Sequence, residues 1–185
     1  MATQTKNEPI TRIVVAVDGS AHANNAVLLA SDLAQKYDAE LHLVHVVSSK
    51  PLGSEELHLA EVEFADRLSA VGLEEPDSVV ESYGRAGFGP FLRTQESRNK
   101  VVRQILGEQV IKAAENQARS SGATKVSSAV VEGDAAEQII DAAVKSDANL
   151  IVIGSRGLSG LQEMWLGSVS HKVAHLSPVN VITVR

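Results

Sequence analysis

The chain has 185 residues, 44% of them hydrophobic, 22% charged and only 3% aromatic, which fits a globular domain and excludes collagen-like, fibrous and disordered classes. Its 17 Lys and Arg against 23 Asp and Glu give a formal charge of −6 and a pI near 5.5, the wrong sign for a general nucleic-acid or anionic-membrane binder. Without cysteine there is no thiolate nucleophile, Cys-ligated zinc or iron–sulfur cluster, and a domain of this size buries roughly 70% of its unfolded-chain surface without such staples.

Residues 1–9 are polar and read as a flexible tail. They lack the apolar run of a signal peptide, and no window approaches the ~20 apolar residues of a membrane span, so a cytoplasmic location is expected. A β-branched run over Ile13–Val17 then predicts a first strand. Ser20 is placed to cap a helix whose apolar residues Ala23, Ala26, Val27, Ala30, Leu33, Ala34 and Tyr37 recur at helical spacing, with Asp38 beyond its end. Leu41–Val47 predicts a second strand.

Residues at about 48–97 break the alternation. Ser54-Glu55-Glu56 opens a plausible helix through Leu57, Ala60, Phe64 and Leu68, and the breakers Gly84, Gly87, Gly89 and Pro90 follow, interleaved with Tyr83, Phe88 and Phe91. Residues 48–100 carry ten acidic and six basic residues, and four of the six aromatics lie between 64 and 91. This segment reads as an insertion in one domain spanning 10–185, and as the surface available to a protein partner.

Helical spacing resumes over 98–119 through Val102, Leu106, Val110, Ala113 and Ala114. Strand patterns recur at Val126–Val131, Leu150–Ile153 and Val179–Val184. Asp134-Ala-Ala-Glu137 is a capping box for a helix through Ile139, Ile140 and Ala143, and a short helix over Ser168–Leu176 is stopped by Pro178. Unbroken apolar strands alternating with helices predict an α/β domain: a doubly wound parallel sheet with helices on both faces. The last strand carries no internal Lys or Pro to blunt an open edge, so Val179–Val184 is expected to be covered or to pair with a second copy of itself.

In an open parallel sheet, ligands bind beyond the carboxyl ends of the strands where the strand order reverses. After the first strand comes Asp18-Gly19-Ser20. After the fourth comes Gly154-Ser-Arg156-Gly157-Leu-Ser-Gly160, followed by Gly167-Ser168-Val169 at a helix start. Glycines let backbone N–H groups approach an anion, and a helix N-terminus adds donors and a positive dipole end, so this segment suits a polyphosphate. Arg156 supplies positive charge and Ser168 a hydroxyl. Asp18 suits a ribose hydroxyl or the water of a phosphate-bound Mg²⁺.

The spacing Gly154-x2-Gly157-x9-Gly167-Ser168 resembles the nucleotide-binding signature of the universal stress protein family. Ile13-Val-Val-Ala-Val-Asp18-Gly-Ser20, Leu43-Val-His-Val46, Val131-Glu-Gly133-Asp-Ala-Ala-Glu137 and Pro178-Val-Asn-Val181 are similar to its other strand and junction motifs. The resemblance covers roughly 10–47 and 100–185. It implies a five-stranded parallel sheet in the order 3-2-1-4-5, a homodimer through the last strand, and ATP binding in a subset of members, with Mg²⁺ carried on the phosphates. It further implies that Asp18 meets the ribose, the Val46 backbone meets adenine, and Gly154, Arg156, Gly157, Gly167, Ser168 and Val169 surround the ribose and phosphates. The insertion after the second strand departs from the family pattern and either lids the adenine end or obstructs it.

Other chemistries lack their anchors. There is no Walker Gly-x4-Gly-Lys, no Gly-x-Gly-x2-Gly after the first strand, and no Gly-x-Ser-x-Gly elbow. His171 and His175 stand four apart on a helix, but no third metal ligand accompanies them and no metal site is assigned. His45 either borders the adenine end or is a satisfied buried histidine, and Trp165 reads as a packing residue. Three functions stay open: an ATP-binding stress regulator with at most slow hydrolysis, since no general base stands near the γ-phosphate end; an ATP-hydrolysing or nucleotidyl-transferring enzyme using the same pocket; and a nucleotide-free dimeric interaction protein whose insertion fills the pocket. No catalytic residue is assigned.

Overall fold

The computed structural model describes residues 9–47, 88–157 and 166–185, with residues 88–98 as helical backbone only. In chain order the elements are β1 (Arg12–Ala16), α1 (Ala21–Tyr37), β2 (Glu40–Val47), α2 (Phe88–Ser120), β3 (Val126–Glu132), α3 (Ala135–Lys145), β4 (Leu150–Gly154), α4 (Ser168–Leu176) and β5 (Asn180–Val184). The chain divides into two compact units, one formed by Met1–Ser48 with Gly107–Arg185 and the other by Ser49–Leu106. The first contains the sheet. The proposed helix after Ser54, the Tyr83 region and Trp165 lie outside the described residues.

The five strands are parallel and ordered β3-β2-β1-β4-β5, the α/β sheet expected from the alternation. Strand side chains alternate between two cores because successive residues point to opposite faces. Ile13, Val15, Leu41, Leu43, Leu150 and Val152 pack on one face with Ala26, Val27 and Ala30 of α1 and with Ile111, Ala114 and Ala118 of α2. Val14, Ala16, Val44, Ile151 and Ile153 pack on the other with Ile139 and Ala143 of α3 and Val173 of α4. Four residues of β1 and all five of β4 are buried, which is why these strands read as continuous apolar runs.

Helix ends follow local chemistry. The Ser20 hydroxyl accepts from Ala23 N–H at 3.2 Å, and α1 closes at Asp38, whose φ of 53° is left-handed. The Asp134 carboxylate accepts from Glu137 N–H at 3.1 Å to cap α3. One boundary differs from the sequence reading: α2 begins at Phe88, not near 98. Gly89 and Pro90 fall in its first turn, where a proline removes only an N–H that has no intrahelical partner. Among the described residues, no helix is long and apolar enough to cross a membrane.

Candidate functional site

Strand order reverses at β1, which leads through α1 to β2 on one side and has β4 on the other. Beyond the carboxyl ends of these strands opens a cavity of about 320 Å³, within the ~300–1,000 Å³ of small-molecule sites. Asp18, Val46, Gly154, Arg156, Gly157, Gly167, Ser168 and Val169 all line it, so the residues that the family resemblance implies for the nucleotide border one space. Sequence reasoning missed the apolar part of the lining. Val17, Val44, Ile139 and Ile153 also border the cavity, and no local signal sets them apart from the other apolar residues of their strands and helix.

The β1–α1 junction is built around Asp18. Gly19 adopts φ +82°, which glycine takes without strain, and this folds the chain so that the Asp18 carboxylate accepts from Ser20 N–H at 2.9 Å. The other carboxylate oxygen faces β4's loop: a Cβ on Gly157 would lie 2.5 Å from Asp18 Oδ2. The Ser20 hydroxyl stands 3.4 Å from the Arg156 carbonyl, and His22 Nδ1 lies 2.9 Å from Ser155 Oγ. The first strand's exit and the fourth strand's loop are thereby tied together.

Gly154 sits where β4 meets the first turn of α1. A Cβ there would come within 2.8 Å of the Ala23 nitrogen and of the His22 carbonyl carbon, so this glycine lets strand and helix backbones pack closely as well as lining the cavity. Its φ is not left-handed.

The opposite wall is the start of α4. Gly167 is its N-cap, with extended backbone (φ −70°, ψ 158°) and no side chain to cap the helix. Its own N–H donates to the Ser155 carbonyl at 2.7 Å, and the first intrahelical bond is His171 N–H to the Gly167 carbonyl at 3.0 Å. The sequence reading of free donors at Gly167-Ser168-Val169 is therefore shifted by one residue. Gly167 is spent on Ser155, and among the described residues the N–H groups of Ser168, Val169 and Ser170 have no partner. The Ser170 hydroxyl stands 3.0 Å from both the Ser155 and Gly167 carbonyls, fixing this turn to the loop after β4.

Charge is distributed unevenly across the site. Lys172, in the second turn of α4, reaches Asp134 at 3.1 Å and Glu137 at 3.2 Å on α3. The Glu137 N–H and then Lys172 hold the Asp134 carboxyl below its ordinary range, and hydrogen bonds to Asp134 and Glu137 raise Lys172. Its ammonium thus braces two cavity-lining helices and faces their carboxylates. Arg156 is the cation of the lining, and among the described residues its guanidinium forms no ion pair. The described residues contain no group of three metal-ligating side chains, and the His171 and His175 rings stack with centroids 6.4 Å apart.

A family model described as the universal stress protein family matches residues 9–185. The chain is 32% identical over 174 residues to the universal stress protein YxiE of Bacillus subtilis (strain 168), covering 94% of this chain and 98% of that protein. Among solved structures it resembles the universal stress protein UspA from Lactobacillus plantarum, with TM-score 0.62, 21% identity and coverage of 97% of this chain and 100% of that one. It also resembles a universal stress protein from Archaeoglobus fulgidus in complex with dAMP, with TM-score 0.54, 19% identity and coverage of 96% and 100%. These two likenesses concern the fold, while the family model and the Bacillus relative span nearly the whole sequence. The chain belongs to the universal stress protein family.

Proposed function

We propose that this universal stress protein binds an adenine nucleotide, ATP with Mg²⁺ carried on its phosphates, in the cavity beyond β1 and β4, and acts as a nucleotide-dependent stress-response regulator of the cytoplasm. The observation that carries the reading is the open start of α4. A glycine N-cap with no capping side chain leaves three backbone donors and the positive end of a helix dipole facing a cavity that also holds Arg156. Phosphate oxygens satisfy such donors.

The other roles follow from position. Val17, Val44, Ile139 and Ile153 offer an apolar bed for a purine, the Val46 backbone offers its hydrogen-bonding groups to the base, and Asp18 faces a ribose hydroxyl. Gly154, Gly157 and Gly167 keep the walls free of side chains, Ser168 and Val169 add their N–H groups, and Arg156 supplies charge. Asp18 would also be the residue to accept from a water on Mg²⁺. That a relative of the same fold is described in complex with dAMP supports an adenine ligand. Among the described lining residues none is assigned as a general base for water, so hydrolysis is expected to be slow. A homodimer through the outer edge of β5 completes the proposal.

The test is to denature the purified protein, chromatograph the supernatant for ATP or ADP, and then titrate the nucleotide-free protein with ATP. Wild type is expected to carry or take up nucleotide. Gly157→Leu and Gly167→Leu, which push side chains into the cavity, are expected to lose it, and equal indifference of all three proteins rejects the proposal.

A further inference from the structure

The β1–β2 ladder ends at the Ala16–Val44 pair, and the rung that would extend it is missing at the edge of the cavity. Glu40 N–H donates to the Thr11 carbonyl at 2.9 Å and Val17 N–H to the Val44 carbonyl at 2.9 Å, whereas Leu41 N–H donates to Lys125 at 2.8 Å and the Val47 carbonyl accepts from Gly133 at 3.3 Å. Even-numbered residues of β2 therefore turn both backbone groups toward β1, and odd-numbered ones toward β3. In a regular parallel ladder the rung after Val17 N–H to Val44 would be Val46 N–H to the Val17 carbonyl. That carbonyl is instead met by His45 Nδ1 at 2.8 Å. A carbonyl only accepts, so Nδ1 carries the proton. Among the described residues, neither the N–H nor the C=O of Val46 forms a hydrogen bond.

A second observation concerns what makes room for the ring. Gly107 lies within α2, far from either end, where glycine destabilises a helix relative to alanine. A Cβ at this position would lie 2.8 Å from His45 Cδ2, 3.0 Å from Val130 Cγ1 and 3.3 Å from Val47 Cγ2. The helix is bare where the imidazole lies.

We infer that His45 is a positioning residue for base selection: by engaging the Val17 carbonyl it keeps the Val46 N–H unpaired beside the open Val46 C=O, ready for the donor–acceptor edge of a 6-aminopurine. The inference rests on the nucleotide reading above. The amino group of such a base donates to the Val46 carbonyl while its neighbouring ring nitrogen accepts from the Val46 N–H. A 6-oxopurine presents an acceptor and a donor in the opposite order and leaves both groups unmatched.

Hydrogen exchange on the full chain, combined with titrations of ATP, GTP and tripolyphosphate, tests this. Without nucleotide, the wild-type Val46 amide is expected to exchange freely while the Val44 amide, inside the ladder, is protected. In His45→Ala the Val46 amide is expected to become protected as the rung closes. ATP should then bind about tenfold or more weaker, the preference for ATP over GTP should shrink, and tripolyphosphate should bind as before. His45→Asn, whose amide offers a donor in place of Nδ1, should restore free exchange and ATP affinity. Gly107→Ala, which displaces the ring without removing it, should shift both readouts in the direction of His45→Ala and decides the matter if that variant does not fold. A protected Val46 amide in the nucleotide-free wild type, or unchanged exchange and ATP affinity in the variants, overturns the inference. If the wild type binds no nucleotide, the proposed function fails, and the exchange pattern alone decides whether His45 holds the rung open.

Discussion

Gly154 and Gly157 stand three residues apart in the same signature and do different work. At Gly154 a Cβ would press on backbone atoms of α1 at 2.8 Å, and backbone cannot step aside as a side chain can. Gly154→Ala is therefore expected to cost about 1–3 kcal/mol of stability, the usual cost of overpacking, read as a lower urea midpoint with an unchanged slope. A cost below about 0.5 kcal/mol, the scale of an ordinary surface substitution, would reject the close-packing role. At Gly157 the neighbour is the Asp18 carboxylate, so a substitution acts first on that side chain. The glycine spacing was legible because all three signature glycines line one cavity. Their separate roles were not, since backbone approach between β4 and α1 depends on a contact far apart in sequence, from Gly154 back to the first turn of α1 at His22 and Ala23. Gly107 carried a signal that went unread: a glycine inside a helical pattern asks for a packing reason.

At the scale of elements, the buried strands and capped helices could be read from sequence because one local rule governs each. β1 and β4 are apolar throughout because both faces are covered, and Ser20 and Asp134 announce helices by capping them. The start of α2 was misread because Gly and Pro are breakers inside a helix but are tolerated in its first turn, and residue type alone does not say which applies. β3 is an edge strand whose serines find partners: Ser127 meets His42 at 2.9 Å and Ser128 donates to Glu115 at 2.5 Å. β5, at the opposite edge, keeps a chain of apolar residues, with Ile182 36% exposed. Val181 packs against a core cluster, so its substitution would disturb the fold, whereas Ile182 lets the edge be tested alone. If β5 pairs with a second copy as proposed, wild type should sediment as a dimer and Ile182→Lys should shift toward monomer, because a lysine on an edge strand opposes strand addition. A monomeric wild type, or a variant that stays dimeric, rejects pairing through this edge.

On the scale of the molecule, the cavity draws on both sides of the sheet in the sheet-bearing unit: the exits of β1 and β4, the end of β2, Ala23 of α1, and the N-terminal parts of α3 and α4. Lys172 ties those two helices together, and Ser20 and His22 tie α1 to the β4 loop. A ligand held by groups from so many elements loses its site when any of them leaves, so it binds the folded state and not the unfolded one. Mass action then makes the proposed nucleotide a stabiliser of the unit that carries the sheet. At a hundredfold excess over its dissociation constant it adds about 2.7 kcal/mol, and for a chain of this length each kcal/mol raises the midpoint by roughly 2–4 °C. Saturating ATP with Mg²⁺ should therefore raise the Tm by roughly 5–10 °C in calorimetry. Tripolyphosphate, which engages the start of α4 but not the apolar bed at Val44 and Ile153, should raise it less. Gly167→Leu should unfold at one temperature with or without ATP. A wild-type midpoint that does not move with millimolar ATP would mean that the open donors of Ser168, Val169 and Ser170 serve some other anion.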